Sequence, residues 1–409
     1  MPVHCWVRMK RRLILFCLFA CGMFSSVARA QITCSPGDES RKLACVVPNA
    51  LNLTAPSSQN LGFLNEAVGS QVGDLPLASP ASGIIYVNDP RLNLPVPSNE
   101  TLGPVLTQRA ETIGLHKIYV AATYQFYRFG EIDGLSLQQL PIVLLLQNGA
   151  ALTTSNNRLD LTVNQFALYL TMGLTDRVDI SLAVPVLDVH ERFTTSGVEY
   201  LLATGAIQKF QNVVTAGHAS GVGDTTLAIK GTVWKPFTGG LAVGMELRLP
   251  SGDATNFLGS GAVGIKPFLS LTYGKRVSPH FNLSYEYNGN SELVTDGQGN
   301  KARLAGRLLY SGGADWGARP WLTIAGDIMM QRIFDARRVA VISQAIANPP
   351  ITPLTIQPFT GSYNRADLSL GAKVKPMGNL ILTGNVLMRL DSGGLRARYV
   401  PLVGASYTF

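Results

Sequence analysis

The stretch Leu241–Leu249, LAVGMELRL, decides the fold class of this 409-residue chain. Its odd-numbered residues are all large and apolar, whereas its even-numbered residues include Glu246 and Arg248. This period of two indicates a β-strand, because a helix would spread both sets around its circumference. One face is therefore apolar and the other can hold charge. Such strands build soluble β-sandwiches, with the apolar face in a core, and outer-membrane β-barrels, with that face in lipid.

The same alternation recurs from residue 117 onwards. Several of the candidate strands are long enough to cross a bilayer at a tilt, which takes about 9 to 11 residues. The strand candidates number twelve: 117–130, 158–173, 177–190, 222–235, 240–250, 263–275, 280–289, 303–314, 320–333, 363–376, 379–391 and 396–409.

The links between these segments distinguish the two architectures. Short links, such as 174–176 and 377–378, alternate with mostly long ones, such as 131–157 and 191–221. An even-stranded barrel predicts short turns on one rim and long loops on the other, and a sandwich does not. We therefore predict an all-β fold, a transmembrane antiparallel up-and-down β-barrel of about 12 strands, with 10 or 14 as alternatives.

One strand departs from the pattern. In the segment 158–173, Leu159, Leu161 and Val163 share one parity, whereas Phe166, Leu168 and Leu170 share the other. A β-bulge near Gln165 would bring all of them to one face, so a bulge is expected there.

Aromatic residues and the last strand support the membrane interpretation. The final strand alternates apolar residues up to Phe409, and such an ending resembles the signal by which the outer-membrane barrel assembly machinery recognises its substrates. Interfacial aromatic residues are typical of barrel rims. Those beside the proposed short turns are Trp234, Phe237, Tyr273, Phe281, Trp316, Trp321 and Tyr407.

Residues 1–30 have the features of an export signal. A basic group that ends at Arg12 precedes the apolar run 13–24, and small residues at Ala28 and Ala30 predict cleavage after Ala30. Lipidation of Cys21 is the alternative. Five basic residues lie in this segment, which lowers the net charge from +8 to +3 for the mature chain, so no nucleic-acid partner is expected. Export and a barrel together predict the outer membrane of a Gram-negative cell, with its lipids as partners.

Residues 31–115 lack periodicity and are interrupted by proline, which predicts an extended segment that either plugs the barrel or lies in the periplasm. Residues 116–409 form the predicted barrel. After removal of the signal only Cys34 and Cys45 remain, and a cysteine pair in an exported chain predicts a disulfide between them.

Several sequence blocks carry a family resemblance. The blocks are RAETIGLHKIYVAATYQFYRFGEIDG (109–134), YLTMGLTDRVDISLAVPVLDV (169–189) and the run that continues from SGVGDTTLAIKGTVWK (220–235). They resemble the outer-membrane transporters of the MetA pathway of phenol degradation, a family similar in outline to fatty-acid and aromatic-hydrocarbon channels. The resemblance covers about residues 100–409. It implies a barrel that passes small hydrophobic or aromatic compounds.

Motifs for covalent chemistry are not found in the sequence. The glycines of GSGAVG (259–264) lead into a strand, where no helix can hold a pyrophosphate, so no cofactor is expected. His218 and Ser220 have the spacing of an outer-membrane lipid hydrolase, but they lie in what the glycines predict to be a loop. No catalytic, cofactor-binding or metal-binding residues are therefore predicted.

The strand positions predicted to face the barrel interior carry many charged residues. They indicate either a solvated, salt-paired interior or a ladder of cations that steers anionic solutes. The predicted function is a passive channel for uptake or efflux of small hydrophobic or aromatic compounds, and the alternatives are a structural barrel without transport and a lipid hydrolase. The pore-lining candidates are Lys230, Glu246, Arg248, Lys266, Glu286, Arg303, Arg307, Asp327, Arg365, Asp367, Lys373 and Arg389.

Overall fold

The computed structural model describes residues 34, 42–51, 62–73, 75–79, 86–89, 94–97, 100–146, 151–236, 238–295, 300–347 and 349–409. The predicted export signal, its cleavage point after Ala30, and Phe237 lie outside these residues. Among the described residues, no helix is both long and apolar enough to span a bilayer.

Twelve antiparallel strands form a closed barrel. Each strand pairs with its neighbours in the sequence, and the first strand pairs with the last, so the ring has no open edge. The predicted all-β barrel of 12 strands is confirmed. The strands are β1 (Ile118–Ile132), β2 (Ala151–Thr175), β3 (Val178–Leu201), β4 (Thr225–Trp234), β5 (Gly239–Leu249), β6 (Gly264–Tyr273), β7 (Val277–Asn288), β8 (Arg307–Arg319), β9 (Leu322–Ser343), β10 (Leu354–Met377), β11 (Leu380–Arg389) and β12 (Tyr399–Thr408).

The two rims of the barrel differ. At the turn rim, five links of two to four residues join consecutive strands. At the loop rim, several strands continue beyond the barrel, and much of the regions 131–157 and 191–221 that were predicted to be loops is strand. The further elements at this rim are the strands Leu135–Ser136, Leu140–Leu146, Ala206–Val222, Asn290–Thr295, Lys301–Arg303 and Leu395–Ala397 and the 3-10 helix Ala254–Asn256.

Side-chain exposure follows the predicted alternation. On β5, Val243 is 43% exposed and Met245 is 51% exposed, whereas Arg248 is buried inside the barrel. The apolar set of the opening stretch therefore faces outward, as in a lipid-facing surface. Six of the predicted rim aromatics are likewise exposed near the turn rim: Trp234, Tyr273, Phe281, Trp316, Trp321 and Tyr407.

The bulge predicted near Gln165 is wrong. Strand β2 pairs with β1 and β3 without a register shift in this region, and its alternation of buried and exposed residues continues through Gln165. Leu159, Leu161 and Val163 face inward, where they join the buried apolar core. The change in parity marks the level at which the interior changes from polar to apolar.

The N-terminal segment supplies the partner for that apolar interior. It contains the 3-10 helix Leu43–Cys45, the helices Val46–Ala50 and Gly62–Val72, and the paired strands Tyr86–Asp89 and Leu94–Pro97. A disulfide joins Cys34 to Cys45. Leu43, Val46, Leu64 and Val68 belong to the same buried cluster as the inward residues of β2, so this part of the segment lies inside the barrel.

Candidate functional site

The structure brings most of the predicted inward charges together inside the barrel. Eleven of the twelve candidates lie on inward-facing positions of barrel strands. Along their strands, three of them lie near the turn rim, namely Lys230, Asp327 and Lys373. The others lie further from it, namely Glu246, Arg248, Lys266, Glu286, Arg307, Arg365, Asp367 and Arg389, and Asp367 and Arg389 are direct cross-strand partners.

Arg303 is the exception. Strand β8 begins at Arg307, and Arg303 belongs to a separate hairpin in which it pairs with Asn290. Its guanidinium lies 3.5 Å from the ring centroid of Tyr287, an outward residue. The prediction that Arg303 lines the lumen is wrong, because the break at 304–306 separates it from the parity of the barrel strand.

Ion pairs neutralise the inward charges of β5 to β8. The Lys266 ammonium lies 2.7 Å from the Glu246 carboxylate. The Glu286 carboxylate is shared, at 3.1 Å from Arg248 and 2.6 Å from Arg307. Cations and carboxylates thus alternate across neighbouring strands. This arrangement favours the salt-paired interpretation of the interior over a ladder of free cations.

A cavity of about 200 Å³ lies between the N-terminal segment and the barrel wall. Its two sides differ in chemistry. The ion-paired residues of β5 to β8 form the polar side, with Lys266, Arg248 and Arg307 among them. The apolar side is formed by residues of β2, β3 and β9 and by the N-terminal segment, with Leu75, Leu77, Leu106, Tyr169, Ala183, Leu187 and Met329.

Polar side chains of the wall hold residues 100–113 across the turn-rim end of the barrel. The Lys230 ammonium donates to the carbonyl oxygens of Arg109 at 3.2 Å and Glu111 at 2.7 Å. The Lys373 ammonium donates to those of Leu102 and Pro104. Two inward cations predicted to line a pore therefore bind the backbone of the N-terminal segment.

A buried charge cluster anchors the same residues. Arg109 lies 3.4 Å from Asp315, and both side chains are fully buried. His280 lies between two carboxylates, with its Nδ1 3.3 Å from Asp315 and its Nε2 in close contact with Asp327. Thr107 of the N-terminal segment donates to Asp327 at 3.0 Å. Sequence analysis missed this cluster, because nothing in the Pro-rich segment indicates which wall residues it meets.

His218 and Ser220 lie on a strand and not in a loop. Both belong to the strand Ala206–Val222 and are exposed on its outward face. His218 Nε2 lies 2.6 Å from the Asp188 carboxylate, and Asp188 is the cross-strand partner of Ser220. Within the described part of the chain, no hydrogen bond joins the Ser220 hydroxyl to an imidazole. The arrangement is a polar cluster without the serine–histidine contact that a nucleophile needs.

Comparison with known proteins supports the family resemblance. Residues 147–321 match the family described as "Putative MetA-pathway of phenol degradation". This is the family that the sequence blocks indicated, and that prediction is confirmed over the matched residues. The MetA-pathway match comprises β2 to β8 and excludes the N-terminal segment, so one wall of the cavity lies outside it. A search of characterised proteins gives no match.

Solved structures similar to this chain include an outer membrane channel and a porin. An outer membrane channel from Pseudomonas putida F1 has 15% identity and a TM-score of 0.45, and the alignment covers 73% of this chain and 98% of that one. The NanC porin has 10% identity and a TM-score of 0.38, and the alignment covers 70% of this chain and 98% of the porin. A FadL homologue of Pseudomonas aeruginosa has 9% identity and a TM-score of 0.31, and the alignment covers 80% of this chain and 94% of the homologue. These values are too low to transfer a substrate to this chain.

Proposed function

We propose that the chain is an outer-membrane channel for passive passage of small hydrophobic or aromatic compounds. The observation that carries the proposal is the cavity inside the closed barrel, with an apolar side and an ion-paired side. Pockets for small molecules are mostly apolar, with a few polar groups that orient the ligand. The barrel interior supplies both kinds of surface around one cavity.

The size and chemistry of the cavity favour a single-ring compound with one polar group. A protein cavity of about 150 Å³ lined by apolar side chains can hold benzene, and the volume here is about 200 Å³. Tyr169 and Leu187 offer apolar contact, and Arg248 and Glu286 lie on the opposite side. A phenol would place its ring and its hydroxyl on these two sides. The family description, which names phenol degradation, agrees with this class.

Passage through the barrel requires movement of residues 100–113. Their backbone is bonded to wall side chains at several levels, including Thr272 and Thr323. In this proposal the turn rim faces the periplasm and the loop rim faces the exterior, so the solute enters at the loops and leaves when this part of the segment is displaced. The outer-membrane barrel assembly machinery, through Phe409, remains a predicted partner.

Liposome swelling tests transport directly. The parent chain is reconstituted and exposed to phenols, fatty acids and sugars, and flux is measured above that of protein-free liposomes, because neutral phenols also cross lipid unaided. Ala183→Trp fills the cavity from the wall and should reduce phenol flux several-fold. Leu182→Trp places the same ring one residue away on the outward face, and should leave flux unchanged.

The alternatives give different results in the same preparation. A structural barrel would show no protein-dependent flux of any solute. A lipid hydrolase would release fatty acids from the liposomes, and Ser220→Ala would abolish that release. Flux that does not discriminate Ala183→Trp from Leu182→Trp would place the solute path outside the cavity.

A further inference from the structure

The outward face of the barrel carries a second cluster, on the other side of the wall from the cavity. Asp188 and His190 lie on β3, and His218 lies on the neighbouring strand Ala206–Val222. His190 and His218 are direct cross-strand partners, and their rings stack with centroids 4.4 Å apart. The backbone ladder therefore fixes both imidazoles beside one carboxylate.

The three side chains point their ligating atoms at one place. His218 Nε2 lies 2.6 Å from Asp188 Oδ1, and His190 Nε2 lies 3.2 Å from Asp188 Oδ2. One nitrogen or oxygen from each of the three residues lies within 4.8 Å of the others. Ligands at zinc–ligand distances of about 2.0–2.2 Å on a tetrahedral ion are roughly 3.3 Å apart, so small side-chain rotations suffice to receive one.

The chemistry of the set selects the kind of ion. Imidazole nitrogens suit zinc, copper and nickel, whereas magnesium and calcium prefer oxygen ligands. Two histidines and one carboxylate are a known zinc ligand set, and in such three-ligand sites a water completes the tetrahedron. Each imidazole is about half exposed, at 52% and 53%, so solvent reaches the fourth position.

The position of the cluster relative to lipid is also defined. The row of paired residues directly below it on the turn-rim side is Phe166, Val186 and Val222, all apolar and exposed. The row at the level of Asp188 pairs it with Asn164 and Ser220. The cluster thus lies one row above the apolar band, where the outward face becomes polar.

We propose that Asp188, His190 and His218 bind one divalent transition-metal ion of the zinc class. The ion fastens the strand Ala206–Val222 to the barrel. Among the described strands, this strand pairs only with β3, so its other edge has no partner. An ion that binds only the paired arrangement stabilises it in proportion to its occupancy. Sequence analysis missed the set because its members come from two strands and form no local motif.

Metal binding is tested on the full chain in detergent after treatment with a chelator. Zinc titration should give one ion per chain, and cobalt should give the visible absorption bands of tetrahedral coordination. His190→Gln and His218→Gln should each weaken zinc binding by about 100-fold or more, since loss of even a supporting partner costs up to that much. The control is His116→Asn, a change in an exposed histidine at the turn rim whose positive φ suits asparagine.

Hydrogen exchange provides an independent measurement. Zinc should slow amide exchange in residues 206–222 of the parent and of His116→Asn, but not of His218→Gln. Heat-modifiable gel mobility confirms that each variant is a folded barrel. Any of three results would overturn the proposal: zinc bound at no fixed stoichiometry, zinc retained by both glutamine variants, or calcium and magnesium bound as tightly as zinc.

Discussion

The two ends of the N-terminal segment are held by different interactions. At the loop end, residues 43–51 and 64–72 pack through apolar side chains against the wall and against loop-rim residues such as Phe257 and Leu293. At the turn end, Val105, Leu106 and Ile113 also join the buried apolar cluster, but the backbone of residues 100–113 is held in addition by hydrogen bonds and buried ion pairs from wall side chains.

This difference separates an anchor from a movable part. Apolar side chains that leave the interior lose their packing and gain no equivalent interaction with water, so the loop end is expected to stay in place. The bonds at the turn end go largely to backbone groups, which water can satisfy when the segment is displaced. We infer that residues 100–113 can leave the wall while residues 43–51 and 62–72 remain docked, and three substitutions probe this inference.

The largest effect is expected from Arg109→Met. It leaves Asp315 buried without its arginine, and breaking a buried pair in this way costs about 3–5 kcal/mol. Amide exchange in residues 100–113 should accelerate by at least about 100-fold, and phenol flux should rise. Arg319→Met, at an exposed arginine of the same rim, is the control. Unchanged exchange in Arg109→Met would show that the ion pair does not hold the segment.

A smaller and differently placed effect is expected from Leu64→Ala. Leu64 is 2% exposed in the helix Gly62–Val72, and such truncations cost about 3 kcal/mol. Exchange should accelerate in residues 62–73 and stay unchanged in residues 100–113. Leu390→Ala, at a 55% exposed leucine, provides the comparison. Equal acceleration at both ends would mean that the segment is released as one unit.

The smallest effect concerns pH and Glu66, in the same helix. Burial raises the pKa of Glu66 from 4.5 to about 7, and the charge of Arg337 opposes this shift only in part. Because the docked helix favours the protonated acid, docking is strongest below pH 4.5 and weakens as the pH rises to about 7. Exchange in residues 62–73 should therefore accelerate over this range, and Glu66→Gln should remove the dependence. A parent chain with pH-independent exchange, after correction for intrinsic rates, would contradict the shift.

The barrel was predictable because lipid imposes a simple pattern on each strand. Leu241–Leu249 shows it without interruption, and all twelve predicted segments correspond to barrel strands. Above the apolar band the outward residues become polar, as at Asp188 and His190, so the alternation is hidden. This is why much of 131–157 and 191–221 was predicted to be loop.

The interior was less predictable, because it depends on a partner distant in the sequence. The inward direction of the charged side chains follows from their parity along each strand, and eleven of the twelve pore-lining candidates lie inside. Their roles do not follow, since Lys230 and Lys373 bind carbonyl groups of a segment without periodicity. The wrong prediction of a bulge near Gln165 has the same cause. The apolar inward residues on β2 are explained only by the N-terminal segment that covers them.

Closure of the ring imposes an order of assembly. The first strand meets the last, where the Phe409 amide donates to the Ile118 carbonyl oxygen at 2.8 Å. Contacts so distant in sequence form late, after more local pairing. Residues 42–51, 62–73 and 75–79 must therefore already be within the curling sheet when the seam closes, or enter afterwards through a rim. A chain that closes without them would be a kinetically trapped, empty barrel, with its apolar inner wall facing water.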